Sequence, residues 1–526
     1  MEETKKSSWL IYAMLLTLGI FLGTKIPQKH TQNTTGRFNS LLEIVQKNYV
    51  DTINEEQVEN AAIMGMLSSL DPHSVFVPAS ELKAVNEELQ SNFEGIGVQF
   101  RAIDDTVTVI LPVSGGPSEK VGIKAGDRIV TVNGKSIAGK KLSNEEIIKK
   151  LKGPKGTKVK LGILRYGLLK PKEFTVIRDI IPTFSVDVHF MVEPSIGYIK
   201  VSKFADNTAE EFANAMAKLN KAGLKKVIID LRSNGGGYLG AAVEIADMFL
   251  EKGDMIVYTQ GEHRKRTDIK ASGNGKYKQT KVVVLMDEWS ASASEIVAGA
   301  MQDNDRGSIV GRRSFGKGLV QEQMELNDGS ALRLTVARYY TPSGRCIQKP
   351  YKAGTKDYEE ELLQRYISGE ILGTDTHNLH SDTTKYYTQK GRVVYGGGGI
   401  QPDVQVPYKT DKNFVYLNQL NQKGLLYQYA FSYADKNREH LKNTYKTAND
   451  FTRKFEVSSQ MFTDFLAYAE KNEVKKNLES IQKFTPRIKN LLKAYIGRDL
   501  FDDIGFYPIY LQTDEDFLKA VETAKK

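Results

Sequence analysis

At 526 residues the chain is too long for one hydrophobic core, so several compact units are expected, and 40% hydrophobic with 26% charged residues excludes a disordered or collagen-like polymer. The 73 basic residues outnumber 64 acidic ones, but they are scattered among the acids and form no stripe, so no nucleic-acid partner is expected. A single cysteine, Cys346, rules out an intrachain disulfide and a cysteine-rich metal site.

At the N-terminus, Lys5 and Lys6 precede an uncharged apolar run from Trp9 to Gly23. Basic-then-apolar order is the pattern of an export signal, and neither an A-x-A cleavage site nor a lipidation cysteine follows. Residues 1–36 are therefore expected to be a signal or membrane anchor with a linker, placing the protein in the periplasm, tethered to the inner membrane. Helical periodicity then appears in FNSLLEIVQKNYV and NEEQVENAAIMGMLSSL, the second with Asn54 as N-cap, and LDPHSVFVP breaks it before a helix opened by Ser80. Residues 37–92 form an N-terminal helical region.

From residue 93 to 179 the pattern changes to short β-rich runs, GIGVQFRAI, TVTVILPV, DRIVTVNG and KVKLGILRYG, separated by glycine turns. One helix interrupts them, SNEEIIKKL, with Ser143 and Glu146 at capping-box spacing. GIGV, SGGPSEKVGIKAGDRIVTVNG and the following helix resemble a PDZ domain. That resemblance implies that backbone N–H groups of Gly95, Ile96, Gly97 and Val98 hold a terminal carboxylate while the peptide adds as an edge strand.

Residues 180–407 alternate strand and helix, the language of an α/β core. SIGYIKVSKF, KKVIIDLR, KVVVLMD and SIVGR read as strands, and LRLTVARYY is expected to continue the same sheet. TAEEFANAMAKLNKAG is a helix with Thr208 and Glu211 at capping-box spacing. Residues 349–390 are polar and tyrosine-rich, an insertion with one helix near Asp357 to Ser368. The final segment, 408–526, is helical.

A serine hydroxyl needs a base, and none of the seven histidines stands in a motif with a serine and an acid. His377 and His380 read as a solvated loop pair, so no metal site is expected. Lysine is the alternative. Lys317 lies between Gly316 and Gly318, and to act as a base it must be neutral, which requires burial or neighbouring positive charge. Ser292 stands at the centre of SASAS, at the start of a helix, among small neighbours. Its spacing to Glu295 equally fits a helix cap, so the local pattern leaves both readings open. The segment from Asp303 to Lys317 reaches at most about 46 Å, enough to return along the helix between Ser292 and Asp303. SNGGGYL, directly after a buried strand, is suited to exposing N–H groups toward an oxyanion.

Taken in order, DLRSNGGGYL, SASASEI and GRRSFGKGLVQ closely resemble the carboxyl-terminal processing, or tail-specific, proteases, and LDPHSVF and GIQPDV extend the likeness over residues 37–407. The resemblance implies a multi-domain α/β protein with a PDZ module and a protease core of the ClpP/crotonase type. It implies Ser292 as nucleophile, Lys317 as base, and Gln321, one helical turn later, orienting that lysine. The oxyanion donors would be the N–H groups of Ala293 and Gly237, with Gly236 the less favoured choice. Glu295 and Asp303 also occupy family positions, but are as readily capping or structural groups. No cofactor is implied, and the partners are protein substrates with accessible C-termini, with a homo-oligomer or adaptor left open. Gly235 stands where many relatives carry proline, and the insertion lengthens a connection that is usually short. The rival readings are a noncatalytic periplasmic PDZ scaffold and an acyl-CoA-handling α/β enzyme.

Overall fold

The computed structural model describes residues 34–526 except 88, 104, 352–354, 375–382, 410 and 412. Two compact units divide between Met66 and Leu67. The first contains the helix Thr34–Asn48 and most of Glu55–Ser68. Asn54 caps the latter by accepting the Gln57 N–H at 3.1 Å, and Glu55 and Glu56 in its first turn complement the helix dipole.

In the second unit the PDZ-like module is an antiparallel sheet in the order Val98–Ile103, Thr106–Pro112, Arg128–Val132, Lys158–Leu164, Lys172–Ile177. Val159, Leu161 and Ile163 alternate inward along one strand and are fully buried. Helix Asn144–Leu151 has the expected reciprocal cap, Glu146 N–H to Ser143 Oγ at 3.2 Å and Ser143 N–H to Glu146 Oε2 at 2.8 Å. Val98–Ile103 lies at the end of the strand order and is an edge strand.

The α/β core is a six-stranded sheet, Val186–Glu193, Ile196–Val201, Lys226–Asp230, Lys281–Met286, Gly307–Gly311, Val404–Gln405, antiparallel in its first pair and parallel in the rest. The uninterrupted apolar runs VII and VVVLM follow from burial on both faces. Val227, Ile229, Val282 and Val284 pack with helices Thr208–Lys221, Leu239–Asp247 and Ala293–Asp303. Their alternates Ile228, Val283 and Leu285 pack with Phe517, Ala520 and Val521 of the C-terminal helix Glu515–Lys525. Burial of each of these larger side chains contributes about 1.5–3 kcal/mol, so the last helix is part of the core.

Three expectations need correction. LRLTVARYY does not continue the core sheet. Strand Ala331–Tyr340 belongs to a second, five-stranded sheet, where it pairs antiparallel with Leu319–Glu325, Val75–Val77 and Met255–Gln260. The turn through Asp328 and Gly329 folds Leu319–Glu325 and Ala331–Tyr340 into a hairpin, and most of the latter strand is only part-buried, unlike the core strands. Thr208 and Glu211 form no capping box. The Glu211 carboxylate instead accepts the Ser185 and Val186 amides at 2.8 and 3.0 Å, which the start of a strand leaves unpaired. The periplasmic location and membrane tether are not supported. Among the described residues no helix is long and apolar enough to cross a membrane, and the run Trp9–Gly23 lies outside them. His377 and His380 also lie outside the described residues.

Candidate active site

Strand Lys281–Met286 delivers the chain to a turn pinned from the neighbouring loop. Asp287 accepts the Ser233 amide at 2.9 Å, Ala291 N–H donates to the Asn234 carbonyl at 3.0 Å, and the Ser294 hydroxyl donates to that same carbonyl at 2.9 Å. Held this way, Ser292 sits at φ 55°, ψ −113°, a backbone state that costs a residue with a side chain about 1–3 kcal/mol. Ser292 and Glu295 stand in capping-box geometry, the Glu295 carboxylate reaching back to the Ser292 N–H at 2.8 Å while the Glu295 N–H goes to the Ser292 carbonyl at 2.8 Å. Ser292 lines the cavity in front of this turn.

Glu295, fully buried in the first turn of helix Ala293–Asp303, connects the serine to the lysine. Its Oε2 accepts the Ser292 N–H at 2.8 Å and the Lys317 N–H at 2.9 Å, and its Oε1 accepts the Ser314 hydroxyl at 2.5 Å and the Gly316 N–H at 2.8 Å. Burial pushes this carboxyl above its ordinary value, and the four donors oppose the shift. Tyr339 adds a second clasp, its hydroxyl lying 2.7 Å from the Lys317 carbonyl and 3.2 Å from that of Ser292.

Ser292 and Lys317 line one cavity of about 700 Å³, together with the loop from Gly235 to Gly240, Gln321, Arg333 and Tyr339. Burial holds Lys317 below the ordinary lysine value. The Arg333 guanidinium adds to that effect, while Glu295 and Asp71 oppose it. Among the described residues its ammonium has no hydrogen-bond or ion-pair partner.

The glycine loop separates its two candidate donors. Gly236 is at φ +99°, and a Cβ there would stand 2.7 Å from Ser292 Cβ, so only glycine fits. Its N–H is occupied by Asn234 Oδ1 at 2.8 Å. Gly237, at φ +142° beside the Phe204 carbonyl, and Ala293, at the helix start, have N–H groups without an acceptor among the described residues.

Gln321 lines the cavity but not on a helix. It lies in strand Leu319–Glu325, where spacing by four residues has no helical meaning, and its Nε2 donates to Thr335 Oγ1 at 3.3 Å. Thr335 in turn donates to Asp71 Oδ1 at 3.0 Å, so the DPHS segment belongs to the neighbourhood of the site. His73 Nε2 is 2.7 Å from the Tyr358 hydroxyl, and burial, reinforced by the Lys317 and Lys349 charges against Asp71, lowers its pKa to about 4. Asp71, His73 and Arg333 escaped sequence reasoning. For Asp71 and His73 the available signals were the prolines that break helicity around His73 and the family likeness of LDPHSVF. Asp303, by contrast, pairs with fully buried Arg345 at 2.7 Å.

In the PDZ-like module, Gly95 ends a strand paired to Asp179, while Ile96 and Gly97 form the turn into the edge strand that starts at Val98. The Ile96 carbonyl accepts the Ser118 hydroxyl at 2.7 Å, fixing this turn from below.

Fold and site together define a serine-type peptidase carrying a PDZ domain. Residues 195–359 match peptidase family S41, 95–176 the PDZ domain, 22–80 the N-terminal domain of the activating protease CtpB, and 416–502 a family of unknown function, DUF8443. The carboxy-terminal-processing protease of Bartonella bacilliformis is 36% identical over 388 residues, covering 70% of this chain and 88% of that protein. The carboxy-terminal processing protease CtpA of Bacillus subtilis is 32% identical over 426 residues, covering 79% and 90%. A solved photosystem II D1 C-terminal processing protease is 27% identical, covering 70% of this chain and 92% of that one at a TM-score of 0.37. The chain belongs to the carboxy-terminal processing proteases of peptidase family S41.

Proposed function

We propose that this protease cleaves polypeptides with a Ser292–Lys317 dyad after capturing their C-termini on its PDZ domain. The observation that carries the reading is the sharing of Glu295 Oε2 by the Ser292 and Lys317 amides at the edge of one cavity. Neutral Lys317 takes the Ser292 hydroxyl proton as Oγ attacks a backbone carbonyl carbon. The oxygen of that carbonyl becomes an anion and accepts hydrogen bonds from the Gly237 and Ala293 N–H groups. Collapse breaks the C–N bond, the Lys317 ammonium returns the proton to the leaving amine, and water, again deprotonated by Lys317, hydrolyses the ester. Gln321, anchored by Thr335, offers its carbonyl oxygen to orient the ammonium. The turn Gly95–Val98 receives the terminal carboxylate, and the edge strand Val98–Ile103 supplies the ladder for the tail.

The test is product mass spectrometry on an unfolded substrate, compared between its free-acid and C-terminally amidated forms. Wild type cleaves, preferring the free acid, while Ser292→Ala and Lys317→Ala, folded as judged by circular dichroism, do not. Full activity in either variant refutes the dyad. Tail binding without turnover in the wild type identifies a scaffold instead.

A further inference from the structure

The cavity holding Ser292 and Lys317 carries a second cation, Arg333, to which the proposed reaction gives no chemical step, and none of the described residues that line it is acidic. Arg333 projects from strand Ala331–Tyr340 and is held by neutral groups. Its Nε donates to Gln323 Oε1 at 3.0 Å and its Nη2 to Asn86 Oδ1 at 3.2 Å. Other arginines of the same core are treated differently: Arg232 meets Asp230, Arg312 meets Glu288, Arg313 meets Glu370 and Arg345 meets Asp303, each at 2.7 Å. Among the described residues Arg333 has no ion pair, and its Nη1 has no partner. Amide oxygens orient a guanidinium without cancelling its charge. What remains is a positioned, part-buried fork whose planar donors match a carboxylate. Its field is not merely local, because Arg333 is close enough to depress the Lys317 pKa.

Resting on the dyad reading, we propose that Arg333 is a carboxylate-binding subsite of the cleavage cavity, which selects substrates placing a carboxylate beside the scissile bond. That carboxylate comes from an acidic side chain or from the C-terminus of the substrate segment itself. The Asn86 and Gln323 amides hold the fork through neutral oxygens that leave its charge uncancelled toward the incoming anion.

The experiment uses the full chain and a peptide series in which one glutamate, or its glutamine isostere, is moved through the positions flanking the cleaved bond. Each peptide is made as free acid and as C-terminal amide, with Ser292→Ala as the blank. At one position the wild type favours Glu over Gln in kcat/KM by about 10-fold, as expected for a charge-assisted hydrogen bond, and the ratio shrinks with added salt. If the terminus is the source, the part of the free-acid preference that belongs to the subsite is the part lost in Arg333→Gln with peptides too short to reach from the PDZ turn to Ser292, the PDZ contribution being the same in both proteins. Arg333→Gln brings the ratio to about 1 whatever its absolute rate, Arg333→Lys retains part of it, and Arg333→Glu reverses it toward a lysine peptide. The wild-type ratio and its salt dependence need no variant, so a misfolded substitution does not decide the matter. Cleavage of every peptide with neither preference, or a ratio that survives in Arg333→Gln, overturns the subsite. A wild type as inactive as Ser292→Ala overturns the dyad reading on which it rests.

Discussion

Ser292 and Lys317 donate their backbone amides to one and the same oxygen, Glu295 Oε2, at 2.8 and 2.9 Å. The positions of serine and lysine are thus set by a single buried charge, which makes that charge the most sensitive point outside the dyad.

Glu295→Gln replaces an ionised acceptor of four donors with an amide that accepts through one oxygen only. Charged hydrogen bonds contribute about 1.5–3 kcal/mol each, so melting temperature should fall measurably. Displacing either backbone by an ångström should lower kcat/KM by about 100-fold. A variant with wild-type stability and rate would show that Glu295 sets neither position.

Lys317 carries an energetic conflict, since burial disfavours the charge it holds at low pH. Its folded pKa is lowered beneath the unfolded value, so between the two the unfolded chain binds more protons and stability rises with pH across that window. Lys317→Met should therefore unfold at higher denaturant than wild type at neutral pH while losing all turnover. For the wild type, kcat/KM on a neutral peptide should climb along a limb centred below pH 10.5. A destabilised methionine variant, or a flat profile, would contradict this account.

His73 should control part of the acid stability. Its pKa falls from 6.5 unfolded to about 4 folded, so as pH drops through that interval the unfolded chain takes a proton that the native chain refuses, and stability is lost. Urea titrations at pH 7 and pH 5 should show a smaller loss in His73→Gln than in wild type. Equal losses would mean that His73 titrates normally.

Glu370 ties the insertion to the loop that carries Lys317. It accepts from Arg313 Nε and Nη2 at 2.7 Å each and from Arg365 Nε at 3.2 Å, while Arg365 donates to the Arg313 and Ser314 carbonyls. Glu370→Ala leaves buried guanidiniums without this partner and should cost about 3–5 kcal/mol in chemical denaturation. Activity should fall with it, because residues 313–317 lose their brace. Wild-type stability in Glu370→Ala would make the insertion a passenger.

Much of this was legible in the chain. Ser143 with Glu146 announced its capping box, Asn54 its cap, and KKVIIDLR its buried strand, because each is written in residues close together in the chain. Thr208 with Glu211 shows the limit. The same spacing failed there because two strand amides, 26 and 25 residues away, competed for the carboxylate. The helical turn counted from Lys317 to Gln321 failed similarly, overridden when Leu319–Glu325 paired with Ala331–Tyr340.

By itself the sequence determined the family and put forward the serine and lysine as a candidate pair, since these reside in local pattern and motif. Only the tertiary structure decided that, among the described residues, Gly237 rather than Gly236 keeps a free N–H and Arg333 shares the serine's cavity without a counterion. It alone brought Asp71 to Thr335 across 264 residues, and added the Lys317 amide to the Glu295 oxygen that already caps the helix at Ser292. The reason is that a buried carboxylate or amide takes whichever donors the fold places around it, and those donors come from segments that share no local pattern.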